Sequence, residues 1–125
     1  WYGKSEQKLN EFTSQELGNC IWALGKLKVN GKLHVIPNAV FQNGFLERFC
    51  QLYKNKTMKV QEVMNCCWGW AALRCLPGLE LIAVYEQIMN DKSAHVLNAN
   101  QIYVMNRSYA VLKRIAAQQS SENVQ

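Results

Sequence analysis

Apolar residues recur at helical spacing in five stretches of the chain, and polar or Gly/Pro-containing connectors separate these stretches. Apolar positions three and four residues apart predict amphipathic helices. Three of them, termed the A helices, are predicted over residues 13–28, 57–75 and 98–116, and two intervening B helices over 38–54 and 77–90. No stretch convincingly shows the alternation typical of a half-buried strand. The pattern therefore predicts an all-α fold.

Capping signals stand at the predicted starts of the A helices. Thr13 with Glu16, and Asn98 with Gln101, have the spacing of a capping box. Thr57 is predicted to cap the second A helix. These signals fix where each A helix is expected to begin.

The connectors carry turn signals of their own. The Asn-Gly pair at 30–31 predicts a turn. The apolar run 33–36 before Pro37 is interpreted as a loop or extended connector, and Pro77 suits the start of the last B helix. The polar stretch 118–125 is expected to be a fraying tail.

A sequence repeat relates the A helices to one another. Segment 15–24 aligns with segment 61–70 at an offset of 46, with Gln, Glu, Asn, Cys and Trp identical, and a weaker copy covers 104–111. The repeated positions predicted to be structural are Asn19, Trp22, Asn65, Trp68, Asn106 and Tyr109. A hairpin of roughly 40–46 residues cannot bury its apolar face alone. The repeat thus predicts stacked helical hairpins, an α-solenoid fragment over residues 1–117.

The roles of the repeated residues are open to two interpretations. The asparagines could contact base edges or could be buried amides that hydrogen-bond neighbouring backbone, and we favour the structural role. Trp22, Trp68 and Tyr109 could stack on bases or fill the space between hairpins, and we favour the core. Trp1 and Trp70 fall outside the repeated position, so they are expected at exposed or partner-facing sites.

Composition indicates a folded protein with a basic surface. Hydrophobic residues make up 49% and charged residues 18% of the chain, and no uncharged apolar run is long enough for a membrane span. The net charge is +5, and residues 1–62 hold nine Lys and Arg against five Asp and Glu. This excess suits an anionic partner such as RNA, with an ordinary solvated surface as the alternative.

Catalytic or metal-binding patterns are not indicated. The five cysteines form no C-x-x-C, and His34 and His95 lie far from any cysteine pair, so a metal site is not expected. The cysteines are expected to be reduced small hydrophobes, Cys66 and Cys67 within a helix. The glycines are scattered and form no phosphate-binding loop. We therefore predict a non-enzymatic protein with no cofactor and no small-molecule substrate.

Residues 12–27 resemble the first helix of an octotricopeptide repeat and the related repeats of RAP-domain and FAST-kinase-domain proteins. These families favour an Asn followed three residues later by Trp-Ala, then Leu and a small-Lys-Leu ending, as at Asn19 to Leu27. The second copy departs at Gly69 and Trp70, and the third copy departs at Tyr109 and Arg114. No RAP domain or nuclease-like segment is recognisable in the chain.

The resemblance implies an α-solenoid in a mitochondrion or, alternatively, a plastid. Relatives bind organellar RNA, and some are ribosome subunits. Because the repeats are few and irregular, we predict a component of an organellar ribosome that contacts rRNA and neighbouring proteins. The alternatives are a protein-only scaffold of an organellar complex and a fragment of a transcript-specific RNA-processing or stability factor. The chain begins Trp-Tyr-Gly without an initiator Met, so it is expected to be a processed piece of something longer.

Basic side chains are the strongest candidates for RNA contact, because exposed flexible cations bind phosphates. The predicted phosphate contacts are Lys26, Lys28, Lys32, Lys54, Lys56, Lys59, Arg107, Lys113 and Arg114. The two lysine clusters are expected at opposite ends of a hairpin, on two separate edges. Polar residues near the starts of the A helices are the possible base contacts: Ser14, Gln15, Gln61 and Gln101.

Overall fold

Residues 9–90 and 97–124 are described in a computed structural model, and within them the chain forms five α-helices and no strand. The helices are α1 (Ser14–Val29), α2 (Ala39–Lys54), α3 (Val60–Leu73), α4 (Leu79–Asn90) and α5 (Ala99–Val124), and a 3₁₀ turn at Leu9–Glu11 precedes them. The all-α prediction is confirmed. The interpretations of Trp1 and His95 lie outside the described residues.

The two predicted capping boxes are present. The Thr13 hydroxyl oxygen accepts a bond from the Glu16 N–H at 3.2 Å, and the Glu16 carboxylate accepts one from the Thr13 N–H at 2.9 Å. The bond that the Thr13 N–H donates stabilises the charged carboxylate and lowers the pKa of Glu16. The Asn98 and Gln101 side chains cap α5 in the same reciprocal way, at 2.8 and 3.0 Å. Both boxes satisfy backbone donors that the first helical turn leaves unpaired.

The predicted cap of the second A helix is wrong. α3 begins at Val60 rather than near Thr57, and the Lys59 N–H donates to the Glu62 carboxylate at 2.8 Å. After α2 the chain passes through Lys56 in the left-handed conformation, with φ 61°, and this turn delays the start of α3. The Thr57 hydroxyl instead donates to the Leu52 carbonyl at 3.0 Å.

The predicted end of the third A helix is also wrong. α5 continues through the stretch expected to be a fraying tail and ends at Val124. Ala116, Ala117 and the glutamines that follow are good helix formers, and no Gly or Pro interrupts them. By contrast, the turn predicted at 30–31 is present, with Gly31 at φ 73°. Residues 33–36 form a connector without regular structure, as predicted.

α1 and α3 run parallel in close contact through glycines. A Cβ built on Gly18 would lie 3.2 Å from the Glu62 carbonyl oxygen, and one built on Gly25 would lie 2.9 Å from the Gly69 Cα. Gly18 thus faces Glu62, and Gly25, seven residues later, faces Gly69, also seven residues later. The two helices therefore run in the same direction. Small residues at these crossing points let the two backbones approach.

The remaining contacts place α1, α3 and α5 in one row. α3 packs against α1 and α5, whereas α2 and α4 contact each other and pack against the row. The two B helices thus contribute their apolar faces to one shared core with the row. The largest fully buried side chains include Trp70, Phe41, Phe45, Phe49, Leu17, Ile21 and Leu73.

Trp70 lies at the centre of this core, so its predicted exposure is wrong. Its side chain is 0% exposed, and its ring centroid lies 5.1 Å from that of Phe45 in an edge-to-face arrangement. α3 is flanked by α1 and α5 and also meets the B helices, so more of its circumference is buried than in α1. An amphipathic pattern with a single apolar face therefore underestimates the burial of α3.

Candidate nucleic-acid interface

An open groove lies between α3 and α5, and we term it the arginine groove. Its volume is about 590 Å³. It is lined by Val29, Trp68, Ala71, Ala72, Arg74, Arg107, Ser108, Ala110, Val111 and Arg114. The three arginines are exposed, and no lining residue is acidic. The groove is therefore a cationic surface that can accept an anion.

The helices bring the three arginines to the groove in different ways. Arg107 and Arg114 stand two helical turns apart on α5, so they share one face. Arg74 follows the last residue of α3 in the left-handed conformation, with φ 58°, and lines the groove together with Val29, the last residue of α1. Ala71 and Ala72 of α3 and Ala110 of α5 also line the groove.

Arg107 is held in place by its neighbour on α5. Its Nη1 donates to the Tyr103 hydroxyl at 3.1 Å, and its guanidinium lies 5.6 Å from the centre of the Tyr103 ring. Both groups are exposed. This contact orients the guanidinium while leaving most of its donors open to a ligand.

Lys113, a predicted phosphate contact, does not line the groove. Its ammonium lies 5.8 Å from the ring centre of Tyr109, whose hydroxyl donates to the Glu86 carboxylate at 2.8 Å. That hydrogen bond raises the pKa of Tyr109, because the carboxylate accepts the phenolic proton. Lys113 therefore lies beside a contact between α4 and α5.

In the third repeat copy, Asn106 and Tyr109 contact α4, but Asn106 is exposed, unlike the buried amide that the sequence favoured for this repeat position. The Tyr85 hydroxyl donates to the Asn106 side-chain amide oxygen, Oδ1, at 3.1 Å, and the Tyr85 and Tyr109 ring centroids lie 4.7 Å apart. Burial raises the pKa of Tyr85. Asn106 and Tyr109 thus join α5 to α4 through paired hydroxyl and ring contacts.

Trp22 and Trp68, the tryptophan pair, lie on the surface between α1 and α3. Their ring centroids are 6.2 Å apart at an interplanar angle of 37°, and Trp22 is 43% exposed. They meet between neighbouring A helices, but the prediction that Trp22 belongs to the core is wrong. Gly25 leaves the space for Trp68, because a Cβ there would lie 2.9 Å from the Trp68 ring. The tryptophan pair therefore covers the solvent-facing edge of the contact between α1 and α3.

The predicted lysines lie at the two ends of the parallel helices. Lys26, Lys28 and Lys32 are at the carboxyl end of α1, whose last residue, Val29, lines the arginine groove. The Lys26 ammonium lies 5.5 Å from the Trp22 ring centre. At the other end of α3 stand the exposed Lys54, Lys56 and Lys59, which we term the lysine loop. α3 spans 14 residues, so its two ends are about 20 Å apart.

Of the four predicted base contacts, Ser14, Gln61 and Gln101 form hydrogen bonds within the protein, and Gln15 is exposed. Ser14 is buried, and its hydroxyl hydrogen-bonds that of Thr57 at 3.2 Å, so it is not accessible to a base. Gln101 is half-buried in its capping box. Gln15 is exposed, whereas Gln61 is exposed and donates to Asn65 at 3.0 Å. None of the four lines the arginine groove.

A second, apolar groove of about 720 Å³ runs along the other side of α1, and we term it the outer groove. It is lined by Phe12, Glu16, Asn19, Cys20, Ala23, Leu24, Leu27 and Leu33. Asn19 is exposed here, unlike the buried amide that the sequence favoured for its repeat position. The apolar positions of α1 thus continue past the core onto an open face.

Burial makes the cysteines weakly acidic. All five are free thiols, and Cys66 and Cys67 are buried. Burial raises the pKa of Cys67 to about 12 and that of Cys20 to about 11. The Cys66–Cys67 pair therefore lacks the thiolate that nucleophilic or redox chemistry requires.

We expect iodoacetamide at pH 8 to label Cys50 well before Cys67 in the folded protein. Cys67 is fully buried, and burial raises its pKa to about 12. Burial and the nearby Glu80 also raise the pKa of Cys50, but that thiol is only half-buried and therefore accessible to the reagent. Mass spectrometry of timed digests measures both rates, and labelling in denaturant is the control. Equal native rates at the two thiols would contradict the packing of α3.

No family model, curated protein or solved structure matches the chain. Among the described residues, no cluster of three or more His, Cys, Asp or Glu has metal-site geometry. Over the same residues, no helix is long and apolar enough to cross a bilayer.

Arg74 was not among the phosphate contacts predicted from the sequence. The fold places it in the arginine groove together with Arg107 and Arg114.

Proposed function

We propose that the chain is a non-catalytic, RNA-associated helical-repeat protein. In this proposal it is a component of an organellar ribosome, in the mitochondrion or alternatively the plastid, that contacts rRNA and neighbouring proteins. The observation that carries the proposal is the arginine groove, where Arg74, Arg107 and Arg114 from two helices face one open space without an acidic neighbour in its lining.

The helix arrangement supports an α-solenoid fragment of the octotricopeptide or RAP-related kind. Equivalent segments of the repeat, 15–24 and 61–70, fall on the parallel helices α1 and α3, and α5 with the weaker copy is next in the row. A row of parallel A helices backed by B helices is the arrangement that helical repeats produce by stacking. In a solenoid such a row forms a continuous surface for an extended ligand.

Phosphate binding suits the chemistry of the groove. A guanidinium presents a planar fork of donors that matches two phosphate oxygens. The three arginines carry no competing carboxylate in the groove lining, so their charge is available to an incoming anion. Nearby Lys26, Lys28 and Lys32 extend the positive surface along the same end of α1.

We expect the triple variant R74Q/R107Q/R114Q to bind RNA at least tenfold more weakly than the native chain. The probe is a stem-loop RNA with a single-stranded tail, titrated at several salt concentrations. Each lost phosphate contact lowers the magnitude of the salt slope by about 0.7 to 0.9, so three lost contacts lower it by about 2 to 3. The matched control, K54Q/K56Q/K59Q, removes equal charge about 20 Å away at the other end of α3.

The absence of salt-dependent RNA binding by the native chain would refute the proposed function. An equal loss of affinity in both triple variants would refute the arginine groove as the main phosphate site, because the lysine loop would then contribute as much. The ribosomal assignment has its own test, the sedimentation of the native protein from organelle lysate. Co-migration with ribosome-sized particles that shifts on RNase treatment supports it.

A protein-only scaffold is the second candidate function, and the outer groove favours it. Its apolar lining, including Cys20, Leu24 and Leu27, suits burial against an apolar helix of a neighbouring protein. In that case the native particle would sediment identically with and without RNase. The phosphate-binding role of the arginine groove would then be abandoned.

A further inference from the structure

The tryptophan pair connects two cationic sites along the α1, α3 and α5 row. Trp22 lies beside Lys26, and Trp68 both contacts Trp22 and lines the arginine groove. Cations and aromatic rings therefore follow one another across the three helices. We term this surface the stacking track: Lys26, Trp22, Trp68, Arg74, Arg107 and Arg114.

We infer that the stacking track binds single-stranded RNA, with bases stacked on Trp22 and Trp68 and phosphates held by the arginines. The inference rests on the proposed RNA-binding function and adds the form of RNA that is bound. Nonspecific single-strand sites combine a cationic surface for the backbone with aromatic rings for the bases. In the stacking track, Lys26 contacts Trp22, Trp22 contacts Trp68, and Trp68 lines the same groove as the arginines.

The exposure of Trp22 is unusual for a residue that only fills space. At 43% exposure it keeps a large apolar surface in water, while Trp70, two positions beyond Trp68, is completely buried. The Trp22 ring meets Trp68 at 6.2 Å and the flexible Lys26 ammonium at 5.5 Å. A base that stacks on the exposed part of Trp22 can displace this flexible ammonium, which can then contact the adjacent phosphate.

The interior of the arginine groove also suits an unpaired base. Ala71, Ala72 and Ala110 leave open space beside Trp68, and Arg107 and Arg114 present guanidinium groups next to it. Guanidinium planes and aromatic rings both stack on bases. Bases in a duplex are already stacked and paired, so they cannot enter such a groove without unpairing. The track therefore favours a single strand over a duplex.

The test compares a short oligouridylate of about ten nucleotides with a duplex of equal length, at one salt concentration. We expect the native chain to bind the single strand at least tenfold more tightly than the duplex. Trp22→Leu should lose about tenfold in affinity for the single strand, because one stacked base is lost. The matched control, Trp22→Phe, keeps an aromatic ring and should lose much less. Circular dichroism and thermal melting of both variants establish that they fold alike.

Fluorescence supplies a second readout that a merely structural Trp22 would not change. Stacking of uracil on Trp22 should quench the tryptophan emission of the native chain, and Trp22→Leu should remove much of that quenching. Trp70 is buried and should contribute little to it.

The outcomes separate this inference from the proposed function. If duplex and single strand bind equally, or if Trp22→Leu binds like Trp22→Phe, the stacking inference is overturned. RNA binding itself stands in that case, provided that R74Q/R107Q/R114Q still loses affinity and salt dependence. If neither RNA binds the native chain, both proposals fall together.

Discussion

Replacing Trp70 by Ala is expected to lower the free energy of unfolding by about 3–5 kcal/mol. The side chain is 0% exposed and packs between Phe41 and Phe45, with ring centroids 6.3 and 5.1 Å away. Its removal leaves a cavity among side chains of α2 and α3. Because neighbouring aromatic rings cannot fully collapse into that space, the loss includes both transfer and cavity contributions.

The matched control is Trp22→Ala, which removes the same side chain from the surface of α1. We expect it to cost about 1 kcal/mol, since Trp22 is 43% exposed and its main ring partner is Trp68. Urea denaturation followed by circular dichroism measures both changes. Equal losses in the two variants would contradict the placement of Trp70 at the centre of the core.

Trp70→Phe separates packing from hydrogen bonding at the same position. The Trp70 Nε1 is buried and has no hydrogen-bond partner among the described residues. Its N–H therefore carries a desolvation cost, which for a buried polar group is about 1–3 kcal/mol. Phenylalanine removes this group together with part of the ring, so its loss of stability should be clearly smaller than that of alanine.

The periodicity of the sequence predicts the helices well, because each helix buries a local, repeating face. Thr13 and Asn98 form their caps through residues three positions away, so these helix starts depend on neighbouring sequence alone. The start of α3 follows a turn in which Lys56 adopts the left-handed conformation. The residues of this turn include no Gly that would predict that conformation. No Gly or Pro ends α5 after residue 116, so the helix continues to Val124. Polar composition alone therefore does not predict a fraying tail there.

The candidate site could be predicted only in part, because it forms between helices distant in sequence. Arg107 and Arg114 are seven residues apart and lie on one face of a helix, so the sequence predicts that both can line one groove. Arg74 joins them only because α3 packs against α5. Gly25 leaves space for the Trp68 ring against α1, and a repeat alignment does not reveal that contact.

Gly69→Ala is expected to lower the free energy of unfolding by about 2–3 kcal/mol, despite the better helix propensity of alanine. A Cβ at this position would lie 2.5 Å from the Ile21 Cγ2 and 2.7 Å from its carbonyl carbon. The clash includes the backbone of α1, so a rotamer change cannot relieve it and the helices must separate. In an unconstrained helix, Gly to Ala would instead stabilise by about 1 kcal/mol.

The control, Gly44→Ala, makes the same substitution within α2. There the nearest atom is the Leu9 Cδ1 at 3.0 Å, the end of a flexible side chain that can move. We expect that variant to be neutral or more stable by up to about 1 kcal/mol. Urea denaturation gives the sign of each change. If both variants are equally stable, the backbones of α1 and α3 do not approach at Gly69, and the parallel contact that positions Trp68 over Gly25 is not formed as described. If Gly69→Ala alone is destabilised, the backbones of α1 and α3 approach at Gly69 as described, because only there does the added Cβ meet the main chain of a neighbouring helix.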